Sequence, residues 1–90
     1  MNKQEVAEIL EEIATLLELK GENPFKSRAY ANAARTVAAL DMDLLEAVKT
    51  EQLRKVKGIG DALFEKIREL ATTGKLAYYE ELKSSIPTGL

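Results

Sequence analysis

The chain has 90 residues, no cysteine and no histidine, and its 13 basic against 15 acidic side chains give a formal charge of −2. That length supports one domain with a modest core, and the missing residue types exclude thiolate and imidazole metal sites and nucleophiles of the Cys-His or Ser-His kind. No apolar run approaches bilayer length and the amino terminus lacks the basic-then-apolar order of a secretion signal, so the sequence reads as a soluble cytoplasmic chain with no membrane partner.

Asn2 with Glu5 three residues on matches a capping box, and Val6, Ile9, Leu10, Ile13, Leu16 and Leu17 recur at helical spacing opposite Glu8, Glu11, Glu12 and Glu18. This amphipathic helix ends at Lys20-Gly21. Asn23-Pro24 supplies a cap and a first-turn proline for a second helix, whose stripe of Ala29, Tyr30, Ala33, Ala34, Val37 and Leu40 permits close packing. Asp41 or Asp43 caps a shorter third helix through Leu44, Leu45 and Val48. Glu51 to Val56 reads as the first limb of a helical hairpin and Asp61 to Thr72 as the second, closed by Gly74. Leu76 to Lys83 gives a short last helix with Tyr78, Tyr79 and Leu82; Pro87 ends it, and residues 84–90 read as a frayed tail. Nothing alternates with period two. The expected fold class is all-α: a single domain over residues 1–90, built as a compact bundle of four main helices plus a short C-terminal helix, with one helix-hairpin-helix at about 51–73.

The turn of that hairpin, Gly58-Ile59-Gly60, carries the chemistry. Two glycines around one apolar residue allow backbone conformations that a Cβ penalises, and let the main chain approach a ligand while Ile59 enters the core. Amides in such a turn, beside a helix N-terminus, suit a phosphate. Leu53, Val56, Ile59, Leu63 and Ile67 supply the apolar anchors. The bland alternative is a tight helix connection with no ligand. Positive charge collects around the hairpin, a pattern that a solvated helical face also produces: residues 1–23 hold two basic and six acidic side chains, whereas residues 49–75 hold seven basic and four acidic.

Four features together are restrictive: the opening amphipathic helix, the block Lys20-Gly21-Glu22-Asn23-Pro24-Phe25-Lys26-Ser27-Arg28-Ala29-Tyr30, the hairpin glycines, and Glu65-Lys66-Ile67 leading to Thr73-Gly74-Lys75-Leu76. On these the chain resembles, over nearly its whole length, the amino-terminal lyase and gap-binding domain of family X (polymerase beta-like) DNA polymerases of bacterial type. Ile86-Pro87-Thr88-Gly89-Leu90 is similar to a segment that leads into the next domain of bacterial members, which suggests a truncation point in a longer polymerase; a free-standing protein is the alternative. No palm, two-metal carboxylate set or triphosphate loop is present, so polymerisation does not reside in these residues.

The resemblance implies non-sequence-specific binding of gapped, nicked or 5′-phosphorylated DNA in base excision repair, and a nucleoid location if the source is bacterial. In several members the domain also removes a 5′-deoxyribose phosphate by β-elimination. Lys66 occupies the position of the Schiff-base lysine, and Glu65 that of a carboxylate suggested to assist proton removal, although neighbours on a helix point about 100° apart. An amine that attacks an aldehyde must first lose its proton, which burial or nearby cations favour; Lys26 and Arg54 match phosphate-pocket positions that would supply them. Tyr30 matches an aromatic whose hydroxyl lies near the phosphate. With Lys57, Gly58, Ile59, Gly60 and Lys66 these complete the implied phosphate contacts. No cofactor is required, but a monovalent cation (Na+ or K+) is implied at the main-chain carbonyls of Arg54, Val56 and Ile59.

Each residue also has an ordinary reading: Lys66 as a solvated charge paired with Glu69, Tyr30 as core, Tyr78 and Tyr79 as packing rather than base-stacking platforms. Four departures weaken the catalytic implication. Ala62 replaces a phosphate-binding lysine, Phe25 a base-stacking histidine, Lys57 a turn proline, and Phe64 a small residue, which implies a shifted helix crossing or a compensating gap. The alternatives are a non-catalytic DNA-binding module and a protein-interaction module that uses the acidic first helix.

Overall fold

Asn2 opens the first helix through a reciprocal box: its side-chain oxygen accepts from the Glu5 amide at 2.8 Å, and the Glu5 carboxylate accepts from the Asn2 amide at 3.2 Å. The computed structural model describes residues 2–85, which form α1 (Lys3–Leu19), α2 (Pro24–Ala38), α3 (Leu44–Lys49), a 3-10 turn (Leu53–Lys55), α4 (Asp61–Thr73) and α5 (Ala77–Ser85). No strand occurs among the described residues, as the absence of period-two patterning predicts. No helix is long and apolar enough to cross a membrane.

Gly21, at φ +76°, turns the chain out of α1, and the Asn23 side chain accepts from the Phe25 amide at 2.8 Å to start α2 behind Pro24. Four residues join the two helices, and Lys3 at the start of α1 donates to the Leu40 carbonyl just past the end of α2 at 2.6 Å. The pair is therefore antiparallel. Ala7, Ala14, Ala33 and Ala34 are all buried, so the backbones approach closely while Val6, Leu10, Ile13, Leu17 and Val37 fill the space around them. The core continues through Leu44, Ala47 and Val48 of α3, then Leu53, Ile59 and the Leu63, Phe64, Ile67 and Leu70 stripe of α4.

Two details differ from the sequence reading. The first limb of the hairpin, expected over residues 51–56, is a single 3-10 turn. Glu51 takes φ +59° with its amide bonded to the Val48 carbonyl at 3.1 Å, which ends α3, and Val56 is already extended. Three residues remain to wind. The last helix, α5, runs to Ser85: Leu82 is buried, and the Ser84 and Ser85 hydroxyls bond back to the Glu80 and Leu82 carbonyls. Ser84 and Ser85 are thus helical rather than frayed, and the end expected at Pro87 lies outside the described residues. Of the two candidate caps, Asp41 and Asp43, it is Asp43 that stands at the α3 N-cap, and it makes no side-chain cap bond.

Phe64 is 2% exposed and packs in the core, with the Arg54 guanidinium 4.9 Å from its ring centroid.

Gly74, at φ +75°, ends α4 in the left-handed conformation that favours glycine. The Glu69 carboxylate accepts the Ala77 amide at 3.1 Å and so caps α5 from α4. The Tyr79 hydroxyl then donates to the Glu12 carboxylate, tying α5 to α1. Burial and this hydrogen bond push the Tyr79 phenol up to about 12. Burial, with Tyr78 alongside, raises that of Tyr30 as well.

Both phenols are neutral in the fold and ionise more readily once unfolded, where tyrosine titrates near 10.0. Their stabilisation is complete below that pH and is lost as pH rises through the folded values. Denaturant unfolding will therefore show stability flat across neutral pH and falling between about pH 10 and 12. Tyr79→Phe, which starts less stable for want of the Glu12 bond, will lose less over that window; an equal loss would remove Tyr79 from this role.

Candidate nucleic-acid interface

The hairpin turn is held from below and open above. The Val56 amide bonds the Leu53 carbonyl and the Ile59 amide bonds the Val56 carbonyl, each at 3.1 Å, so the chain folds back sharply and drives Ile59, 5% exposed, into the core. Lys57, Gly58 and Gly60 are left exposed. Gly58 sits at φ +95°, where side chains are strained. Gly60 does not: at φ −81° and ψ 173° it is extended, and a Cβ there would meet nothing within 4 Å. Only one glycine of the expected two is conformationally required, and at the other the open space lies on the solvent side of a helix start.

That start is uncapped. Gly60 is the N-cap of α4 and offers no side chain, and among the described residues the amides of Gly58, Gly60, Asp61 and Ala62 donate to no acceptor. Free N–H groups at the positive end of a 13-residue helix form a ready anion seat. Lys55 and Lys57 flank it, exposed and without an ion pair among the described residues. Lys55 was not singled out by the sequence reading; its adjacency to the turn was the available signal.

Arg54 is engaged differently. Its guanidinium pairs with Glu51 at 3.2 Å and with Asp61 at 3.5 Å while lying over Phe64. Lys26, in the first turn of α2, reaches Glu22 at 3.9 Å, and Arg28 lies 5.8 Å from the ring centroid of Phe25, which is 75% exposed. Exposed pairs of this kind are worth little individually and dissolve readily in salt.

Lys66 belongs to a second place, the groove between α4 and α5. This groove, of about 480 Å³, is lined by Lys66, Thr72, Tyr78 and neighbours from α4, and neither Lys26 nor Arg54 lines it. Lys66 Nζ lies 4.9 Å from the Tyr78 centroid, and Tyr78 in turn stacks on the buried Tyr30 at 6.0 Å and 14°. Lys66 forms no ion pair among the described residues: Glu69 is spent on capping α5, and Glu65 pairs with Arg68. Tyr30 and Lys66 are thus linked through Tyr78, whose ring is engaged by both. Tyr79 is likewise committed, to Glu12 through its hydroxyl and to Lys83 across its ring at 4.5 Å. The packing reading of the two tyrosines is the one that the contacts favour.

The Val56 carbonyl, which accepts the Ile59 amide, keeps one lone pair, and the Arg54 and Ile59 carbonyls accept no hydrogen bond among the described residues. No group of three His, Cys, Asp or Glu residues there is arranged to hold a metal ion.

A family of helix-hairpin-helix domains matches residues 1–76. Across all of its residues the chain is 37% identical to the DNA polymerase/3'-5' exonuclease PolX of Bacillus subtilis (strain 168), and it spans 15% of that relative's length.

The two turn glycines will separate on substitution. Gly58→Ala will lower stability by about 1–2 kcal/mol, the cost of a Cβ in left-handed backbone, whereas Gly60→Ala will stay within about 0.5 kcal/mol of the parent in urea unfolding. Equal losses at the two positions would contradict the assigned geometry.

Proposed function

The chain belongs to the helix-hairpin-helix domain family, and from that premise we propose that its hairpin binds DNA without base specificity, seating the backbone at gaps, nicks and 5′-phosphorylated ends. DNA binding follows from the family; selection of gaps and phosphorylated ends is the finer reading. The observation that carries it is the uncapped start of α4, presented to solvent through Gly58 and Gly60 between Lys55 and Lys57. Main-chain amides plus point charges suit phosphate rather than base edges. The match to a polymerase of which this chain spans 15% supports a further proposal, that the domain works as part of a longer repair polymerase and brings it to its substrate.

The carbonyls of Arg54, Val56 and Ile59 have spare lone pairs on one turn and are the groups that would hold a monovalent cation. Such an ion, when bound, neutralises phosphate charge and does no more here.

A second reading adds 5′-deoxyribose-phosphate lyase chemistry, favoured by the absence of a carboxylate partner on Lys66 and by its place in the α4–α5 groove. The Lys66 amine adds to the C1′ aldehyde and water leaves, giving an iminium. Loss of the C2′ proton then expels the phosphate at C3′ by β-elimination, freeing a 5′-phosphorylated strand, and water hydrolyses the imine to regenerate the amine. Glu65, paired with Arg68, is a weak proton acceptor for this step, and water is the simpler one.

Titration of a gapped, 5′-phosphorylated duplex will show affinity falling with salt. Each phosphate contact contributes a slope of about −0.9 in log-log form. Lys55→Ala/Lys57→Ala will weaken binding and flatten the slope by roughly one to two units; an unchanged slope would displace the interface from the hairpin. For the lyase, borohydride will trap a covalent adduct on an abasic 5′-phosphate substrate with the parent and not with Lys66→Ala. Binding without an adduct leaves a non-catalytic DNA-binding module.

A further inference from the structure

Lys66 is held by a ring where a helix would ordinarily supply a carboxylate. Of the residues three and four away from it on α4, Ala62, Leu63, Glu69 and Leu70, Glu69 alone is acidic. That carboxylate is turned to the next helix, where it accepts the Ala77 amide at 3.1 Å and fixes the start of α5 just past the left-handed Gly74. Tyr78, the second residue of α5, is thereby set against Lys66, whose Nζ lies 4.9 Å from the ring centroid. One carboxylate thus releases the lysine and seats the aromatic that takes its place. The ring is braced in turn, stacked on the buried Tyr30 at 6.0 Å and 14°.

We propose that Tyr78 is a positioning residue for the Lys66 amine in the 5′-deoxyribose-phosphate lyase reaction, one that confines Nζ in the α4–α5 groove and leaves it open to an aldehyde. This rests on the lyase reading of Lys66. A lysine carries its charge on a flexible four-carbon stem, so an amine without a partner spreads over many positions. A carboxylate would confine it by accepting the N–H groups that the reaction must remove. An aromatic face attracts the charge through its quadrupole instead and ties up no particular proton. The attraction also survives the covalent step. Ammonium and aldehyde give iminium and water: nitrogen bonds C1′, the aldehyde oxygen leaves with two of the three protons on nitrogen, and the positive charge stays on the new C=N unit. The ring therefore faces a cation before and after the bond forms. Lys66 and Tyr78 both line the groove of about 480 Å³, which gives the sugar room beside them.

Two measurements on the same variants test this role. In the protein alone, the ring current of Tyr78 will displace the Lys66 ε-methylene proton resonances upfield; Tyr78→Phe, which keeps the ring, will retain the displacement and Tyr78→Leu will abolish it. On an abasic 5′-phosphate duplex under single-turnover conditions, Tyr78→Leu will form the borohydride-trapped adduct roughly two- to fivefold more slowly than the parent, with the duplex affinity by anisotropy unchanged, and Tyr78→Phe will restore the rate. Tyr78→Met, of similar reach without a ring, will match Tyr78→Leu and replaces it should that variant not fold. Adduct formation at the parent rate without the ring overturns the proposal, as does a loss in Tyr78→Phe equal to that in Tyr78→Leu, or an undisplaced Lys66 resonance in the parent. A parent that forms no adduct while the displacement stands is a different result: it refutes the lyase reading, and the positioning role with it.

Discussion

Burying Ile59 while the residues on either side of it stay in water is the constraint from which the rest of the structure takes its purpose. The side chain must enter the core between Leu53 and Leu63, and the chain must leave again within one residue to begin α4. A left-handed Gly58 makes the entry, and an extended Gly60 makes the exit. The helix that follows therefore starts at the surface, with no side chain available to satisfy its first amides. An apolar anchor and a run of free amides are two sides of one turn. That coupling explains how a chain with a net charge of −2 can present a local site for polyanions.

The remainder of the fold keeps the turn rigid. The antiparallel α1–α2 pair forms the larger part of the core, with alanines drawing the backbones together, and α4 buries Phe64, Ile67 and Leu70 in the same core while packing chiefly against α3 and less against α1. The C-terminal helix returns to α1 under three separate controls: Gly74 bends the chain, Glu69 caps the new helix, and Tyr79 reaches Glu12. The same return brings Tyr78 between Tyr30 and Lys66. Lys66 thus stands over aromatic surface, in a groove that neither Lys26 nor Arg54 lines.

Much of this was legible in the sequence because the signals were local. The Asn2/Glu5 box, Asn23-Pro24, Gly21 and Gly74 each act within one helical turn, and each does in the structure what its residue type dictates. Helical stripes named most of the core correctly, since burial follows periodicity when a helix has one partner side. What failed to show was set by longer range or by backbone alone. The collapse of the first limb to a 3-10 turn depends on a left-handed Glu51, which no propensity announces. The roles of Glu69 and Tyr79 depend on where α5 lands. The two carboxylates around Arg54 were visible as charges, and Glu51 even at the right spacing, but the convergence of Asp61 on the same arginine needed the turn to be built first.

The central claim is that main-chain amides at the hairpin and the start of α4 receive a DNA phosphate. Backbone amide chemical shifts, followed while a gapped 5′-phosphorylated duplex is added to 15N-labelled protein, test it most directly. The account predicts that the largest shifts fall on Gly58, Gly60, Asp61 and Ala62, with Lys55 and Lys57 following and the outer face of α1 unmoved. Shifts gathered on α1, with those four amides silent, would contradict it.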